Sequence, residues 1–179
     1  MMEKYNLKGY EEKLELYYFR VTDLWRRLCE EHTTLLDQTC EEYSCLLGND
    51  LEKLEEKIKV KQQTITRITG LENIREDVIK ELNIYLTENK MGSVFSISDL
   101  IELMNKFEVI NNQKHLFRFN ALLIDIITKI QTQNKNNQLF INRSLLNLKS
   151  IREDALGQKS YSTYNSNGNS KTHSLELGR

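Results

Sequence analysis

The stretch that decides the fold runs from Leu123 to Ile151 and reads LIDIITKIQTQNKNNQLFINRSLLNLKSI. Its apolar positions step by three and four: Leu123, Ile127 and Ile130, then Ile141, Leu145, Leu148 and Ile151. Asn134 and Asn137 stand where the same row should be apolar. This is the period of one helical stripe. An asparagine in a buried seam costs stability because its amide needs partners, and in exchange it fixes register and neighbour. The alternative is a half-exposed helix whose two amides meet water. Most helical stability comes from packing an apolar face, so this helix needs others beside it.

The preceding residues supply them. From near Gly9 a first helix repeats Leu14, Val21, Leu28 and Leu35 every seven residues. Tyr17 or Tyr18, Leu24 or Trp25, His32, Thr39 and Leu46 fill the intervening positions, which makes a coiled-coil-like seam with a polar middle. Leu47–Asp50, LGND, stops and restarts the chain: Gly48 suits a left-handed cap, and Asn49 or Asp50 can cap the next helix. That second helix is expected from Leu51 to Asn89, on a ladder of Leu51, Leu54, Ile58, Ile65, Ile68, Ile79, Leu82 and Leu86 interrupted by Lys61, Glu72 and Arg75. Lys61 is read as laying its stem along the seam with its head in water. The other arrangement pairs these charges with acids of helix one, among them Asp23, Glu31, Asp37 and Glu42. Glu72 and Arg75 can equally pair with each other at i,i+3. A helix of this length is about 60 Å long, and the short loop makes it the antiparallel partner of the first.

Gly92 and Ser93 then break the chain, and Ser96 or Ser98 with Asp99 reads as the N-cap of a short helix, about Asp99 to Met104. The last long helix starts near Asn112 and ends before Gly157. From there the composition is Ser/Asn/Gly-rich without periodicity, too poor in apolar surface to offset its ordering entropy. The sequence therefore predicts an all-α fold. Residues 1–156 form an elongated antiparallel bundle of three long helices plus one short helix, and residues 157–179 form a disordered, flexible C-terminal tail. Tyr161, Tyr164, Leu175 and Leu177 are the residues of the tail able to anchor a partner.

Composition narrows the function. Among 179 residues, Lys+Arg number 25 and Asp+Glu 26, so the net charge is -1 with no basic excess for nucleic acid. Proline is absent, which leaves long helices uninterrupted. No apolar run nears the roughly 18 residues of a membrane span, and the charged start MMEKYNLKGYEEK lacks a signal-peptide core, so a cytoplasmic protein is expected. Cys29, Cys40 and Cys45 are odd in number and irregularly spaced, and read as small apolar residues on a helix rather than a disulfide or zinc framework. His32, His115 and His173 carry no metal spacing, and His32 on the seam reads as a hydrogen-bonded core residue. Phosphate loops, zinc-helix motifs and nucleophile elbows are missing. No catalytic residue, cofactor or metal is expected, and a helical rod with a loose tail points to a protein that binds proteins.

Several segments taken together resemble the FlgN-like flagellar export chaperones, which escort hook-filament junction proteins to the flagellar secretion machine. They are GNDLEKLEEKIKVKQ with Lys61, LENIRE with Arg75, the SISDLIELM insert, the Asn134-x-x-Asn137 pair with its following leucine ladder, and Tyr164-x-x-x-Gly168 in the tail. The last is similar to the family's Tyr-Gly-x-x-Gly, with Asn165 in place of the first glycine; asparagine tolerates a left-handed turn. The resemblance implies a client, a hook-associated flagellar protein, bound as an amphipathic helix along the last helix and tail. It also implies a contact of Tyr164 with the membrane export gate. The apolar face Leu145, Leu148 and Ile151 is the expected client-binding site, Tyr164 and Gly168 the expected gate contact, and Asn134, Asn137, Lys61 and Arg75 the seam and register residues. The competing expectation is a structural coiled-coil protein that closes its seams by homo-oligomerisation. The tail distinguishes the two, because a purely structural rod has no use for an isolated tyrosine turn.

Overall fold

The structure, a computed structural model, describes residues 2–108, 114–155, 159–164 and 170–175, with side chains from 11–108 and 114–155. Three long helices and one short one carry it, the all-α class expected: α1 (Met2–Gly48), α2 (Leu51–Glu88), α3 (Ile97–Glu108) and α4 (His115–Ala155). The short helix extends to both sides of the expected Asp99–Met104. Contacts group the chain into two compact units, Met1–Asn134 and Lys135–Arg179.

In the first unit α1 and α2 form an antiparallel pair. Ion pairs across them prove the direction, since one partner descends as the other climbs: Arg20 with Glu81 at 2.8 Å, Glu31 with Arg67 at 3.0 Å, Glu41 with Lys57 at 2.7 Å. The turn between them has Asn49 at φ 53, so asparagine takes the left-handed position expected of Gly48. Asp50 caps α2 by accepting the N–H of Lys53 at 3.1 Å, as the sequence predicts. α4 enters this unit parallel to α1: Trp25 donates to Asn120 and the Cys29 thiol to the carbonyl of Phe119, while farther along Asn134 lies level with Glu42 through Lys61.

The apolar core sits toward one end of the hairpin. Leu14, Val21, Leu28, Leu82, Leu86, Leu100, Met104 and Leu116 are closed off from solvent, each worth about 1.5–3 kcal/mol of burial. Toward the α1–α2 turn the seam becomes polar, with His32, Gln38, Thr39 and Thr64 buried. His32 is the expected core histidine, its Nδ1 2.7 Å from the carbonyl of Leu28. All three cysteines lie on α1, as expected; Cys29 and Cys45 are buried and Cys40 is exposed, and burial raises the Cys29 thiol above its ordinary pKa.

The segment between α2 and α3 is held firmly. Asn83 grips Val94 from both sides, donating to its carbonyl at 2.9 Å and accepting its N–H at 2.7 Å. Ser96 is the N-cap of α3: its hydroxyl accepts the Asp99 N–H at 3.2 Å, and the Asp99 carboxylate accepts the N–H groups of Phe95 and Ser96 at 3.0 and 2.9 Å. These bonds, that from Phe95 first, hold the Asp99 carboxyl below the usual carboxylate range. A carboxylate lowered on folding stabilises above its unfolded pKa and stops doing so as pH falls through the folded value. The urea midpoint of Asp99→Asn is therefore expected below wild type at neutral pH, and the two should converge in acid. A gap that persists unchanged at low pH would show that the charge is irrelevant. α4 is capped from a distance: buried Glu108 accepts the N–H of Leu116 at 2.8 Å. Burial, and then this neighbouring carboxylate, raise the pKa of Tyr18.

In the second unit, β1 (Lys159–Tyr164) pairs antiparallel with β2 (Ser170–Leu175), from Lys159 opposite Leu175 to Tyr164 opposite Ser170. The sequence expectation of a tail without regular structure does not hold for these two segments. Their Ser/Thr/Tyr content suits a pleated strand, and the Asn/Gly-rich residues between them suit a turn. Two strands alone are at the margin of stability in water.

Candidate functional site: the outer face of α4

Which row of α4 faces inward decides what it can bind. Among the buried and half-buried positions of α4, Leu116, Phe119, Leu123, Ile126, Ile130, Gln133, Asn137, Phe140 and Ser144 form one row, and His115, Asn120, Ile127 and Glu153 are half-buried beside it. That row is a strict seven-residue repeat. Up to Ile130 it shares Leu123 and Ile130 with the row read from the sequence, but it takes the buried Ile126 where that row has the half-buried Ile127. Beyond Ile130 the two diverge, because the sequence row follows the aliphatic residues and the buried row keeps its period through Gln133, Asn137 and Ser144. Asn137 is buried and Asn134 is exposed.

The aliphatic residues passed over by the buried row are left in solvent. Ile141, Leu145, Leu148 and Ile151 step by four, three and three along one face, and the last three are 59–64% exposed. Leu139 and Leu146, seven apart, add a second exposed row that the sequence analysis missed, although Leu146 adjoins Leu145 in the same Leu-rich run. Lys149 and Glu153 lie 3.8 Å apart beside it. α2 repeats the pattern on a smaller scale: Thr64 and Leu71 are buried, and Ile58 and Ile65, the expected rungs, are exposed. Contiguous exposed apolar surface of this kind is a candidate binding face.

The register residues form a contact instead of a gap. Lys61 does not send its head into water: its ammonium donates to Glu42 at 2.7 Å and to the Asn134 amide oxygen at 3.2 Å, which ties α2 to α1 and α4. Both members of the ion pair are only 13% exposed at the side chain. The reason is geometric, since a hairpin turning at Asn49 brings the early turns of α2 level with the last turns of α1. Arg75 pairs with Glu72 at 2.6 Å, the i,i+3 arrangement considered, and lays its guanidinium 5.7 Å from the Trp25 ring centre.

In the tail, the backbone of Tyr164 ends β1, and Tyr161 stands opposite His173. Gly168 lies outside the described residues, as do the side chains of Tyr164 and Tyr161. Among the described residues no group of three His, Cys, Asp or Glu is placed to hold a metal ion, and no helix is long and apolar enough to cross a membrane.

A family model described as FlgN protein matches residues 17–172. The chain belongs to the FlgN family. The match begins within the first seam of α1 and ends in β2, so it takes in the Lys61 contact, the outer face of α4 and both tail tyrosines. FlgN proteins are a family of flagellar export chaperones, which fits a helical bundle that leaves apolar rows unpartnered. No match is found among curated proteins or among solved structures.

Proposed function

We propose that this chain is a cytoplasmic chaperone of flagellar type III export that binds hook-associated proteins and delivers them to the membrane export gate. Residues 1–156 act as the helical body and residues 157–179, which carry β1 and β2, as the C-terminal tail. The client docks as an amphipathic helix on Leu145, Leu148 and Ile151, covering the apolar face while its own assembly surface is masked. The observation that carries this is the exposure of those three residues on one face of α4. They are too exposed to be core and too contiguous to be scattered surface residues. No catalytic step is assigned to the chain.

The gate contact is assigned to Tyr164 and Gly168. A tyrosine ring supplies a large rigid contact area at low entropic cost, and such anchors often dominate small interfaces. Tyr164→Ala is expected to leave affinity for a hook-associated protein unchanged and to weaken binding to the cytoplasmic part of the gate by roughly tenfold or more. Titrations of both variants against both purified partners check each half. Unchanged gate affinity would remove Tyr164 from this role in favour of Tyr161, and loss of client affinity instead would mean that the two surfaces are interchanged.

A further inference from the structure

The register of the tail hairpin sorts its residues into two unlike faces. In an antiparallel pair, residues directly opposite each other share a face, and successive residues alternate between the two. Lys159 is opposite Leu175, Tyr161 opposite His173 and Thr163 opposite Lys171, so these six form one face. Ser160, Ser162, Tyr164, Ser170, Thr172 and Ser174 form the other. Both lysines and the histidine of the two strands therefore fall on the same side, although they come from different strands. The stretch between Asp154 and Glu176 contains no acid, so nothing within the hairpin offsets that basic face. The two tyrosines are separated by the same alternation: Tyr161 belongs to the basic face and Tyr164 to the hydroxyl-rich one.

The hairpin also leaves main-chain groups open. Among the described residues the sheet has two strands, so each strand turns one side of its backbone to its neighbour and the other side outward as an edge. An edge of this kind is a template for a further strand, which main-chain hydrogen bonds would hold. The two edges differ in chemistry. β1 brings Lys159 and both tyrosines, whereas β2 brings Lys171 and His173, two residues apart on one face. A strand laid along β2 contributes alternate residues to that face, so acids spaced by two would stand opposite Lys171 and His173. Opposite charges directly across a pair of strands stabilise it, and like charges destabilise it. A lysine-rich strand is thereby disfavoured and an acidic one favoured.

We propose that the outer edge of β2 takes an extended acidic segment of a partner protein as a third strand, with alternate Glu or Asp residues set against Lys171 and His173. The site lies on the other strand and the other face from Tyr164, and it does not depend on the chaperone function. Fluorescence anisotropy of the full chain with a labelled peptide of about ten residues, alternating Glu and Thr, tests it. A peptide of the same composition with its glutamates gathered at one end is the control. The alternating peptide is expected to bind roughly tenfold more tightly than the control, and to slow amide exchange in residues 170–175. Lys171→Ser and Thr172→Glu make the net charge more negative by the same amount, from opposite faces of β2. Lys171→Ser is expected to weaken binding about three- to fivefold, and Thr172→Glu by less than about twofold. Equal weakening by the two would reduce the contact to overall charge and overturn the proposal. So would a gathered-acid peptide bound as tightly as the alternating one, unchanged amide exchange in 170–175, or no binding of the alternating peptide. Binding to phosphatidylglycerol vesicles in place of the peptide would assign the basic face to a membrane surface, and the third strand would likewise be excluded.

Discussion

Replacing Leu145, Leu148 and Ile151 together by serine is expected to abolish client binding while the protein remains helical and melts close to wild type. The asymmetry follows from where the side chains are. All three are largely in solvent, so their removal opens no cavity, and each exchange costs the fold only a few tenths of a kcal/mol in helix propensity. Burial under a client helix is worth about 1.5–3 kcal/mol per aliphatic side chain when complete. Discounted for the part already covered, the three together supply on the order of 4 kcal/mol, roughly a thousandfold in affinity. Calorimetric titration with a purified hook-associated protein measures the loss, and circular dichroism with a thermal melt measures the fold. A comparison pair from the buried row, Ile126→Ser with Ile130→Ser, should do the reverse and unfold the bundle. If the exposed triple unfolds too, those residues are core; if it keeps the client, the client binds elsewhere.

Much of this arrangement can be read directly from the chain. Helix limits follow from local chemistry: Asp50 and Ser96 as caps, the Asn49 turn, the break at Gly92, and the absence of proline within three long helices. The seven-residue repeat of α1, from Leu14 through Val21 and Leu28, also stands out, because there the buried row and the aliphatic row coincide. On α2 and α4 two neighbouring rows compete. Choosing the more aliphatic one gives Ile58, Ile65, Ile141 and Leu145, all exposed, in place of Thr64, Gln133, Asn137 and Ser144. Burial on both helices follows a seven-residue period rather than hydrophobicity. Hydropathy alone cannot see this period. The mismatch also locates the candidate site, because aliphatic residues displaced from the buried row are the ones left for a partner. The hairpin in the tail escaped for a different reason: its strands carry polar residues on both sides of the alternation, so no apolar face marks them.

Removing the Lys61 ammonium is expected to be the most damaging single change to the middle of the bundle. Glu42 is only 13% exposed, and in Lys61→Met its carboxylate would lose the cation 2.7 Å away while remaining out of water. Breaking a nearly buried pair from one side costs more than the pair contributes, because the remaining carboxylate loses its cation without regaining water. With some solvent still reaching the site, a loss on the order of 3 kcal/mol is expected, a fall in melting temperature of roughly 6–12 °C for a chain of this size. The Asn134 amide oxygen would lose the same donor, and with it the tie from α2 to α4. The double change Lys61→Met with Glu42→Leu should recover most of the stability, since an apolar pair of similar volume pays no desolvation cost. It should not recover register. The seam around this level is polar and lightly packed, with Thr39 and Thr64 as its small buried members, so apolar replacements would slide where the ion pair fixes one level. The double variant is therefore expected to melt near wild type but with a broader transition and faster amide exchange between residues 57 and 68. A double variant as cooperative and as protected as wild type would show that the pair contributes stability alone, and that the register is set by the turn at Asn49.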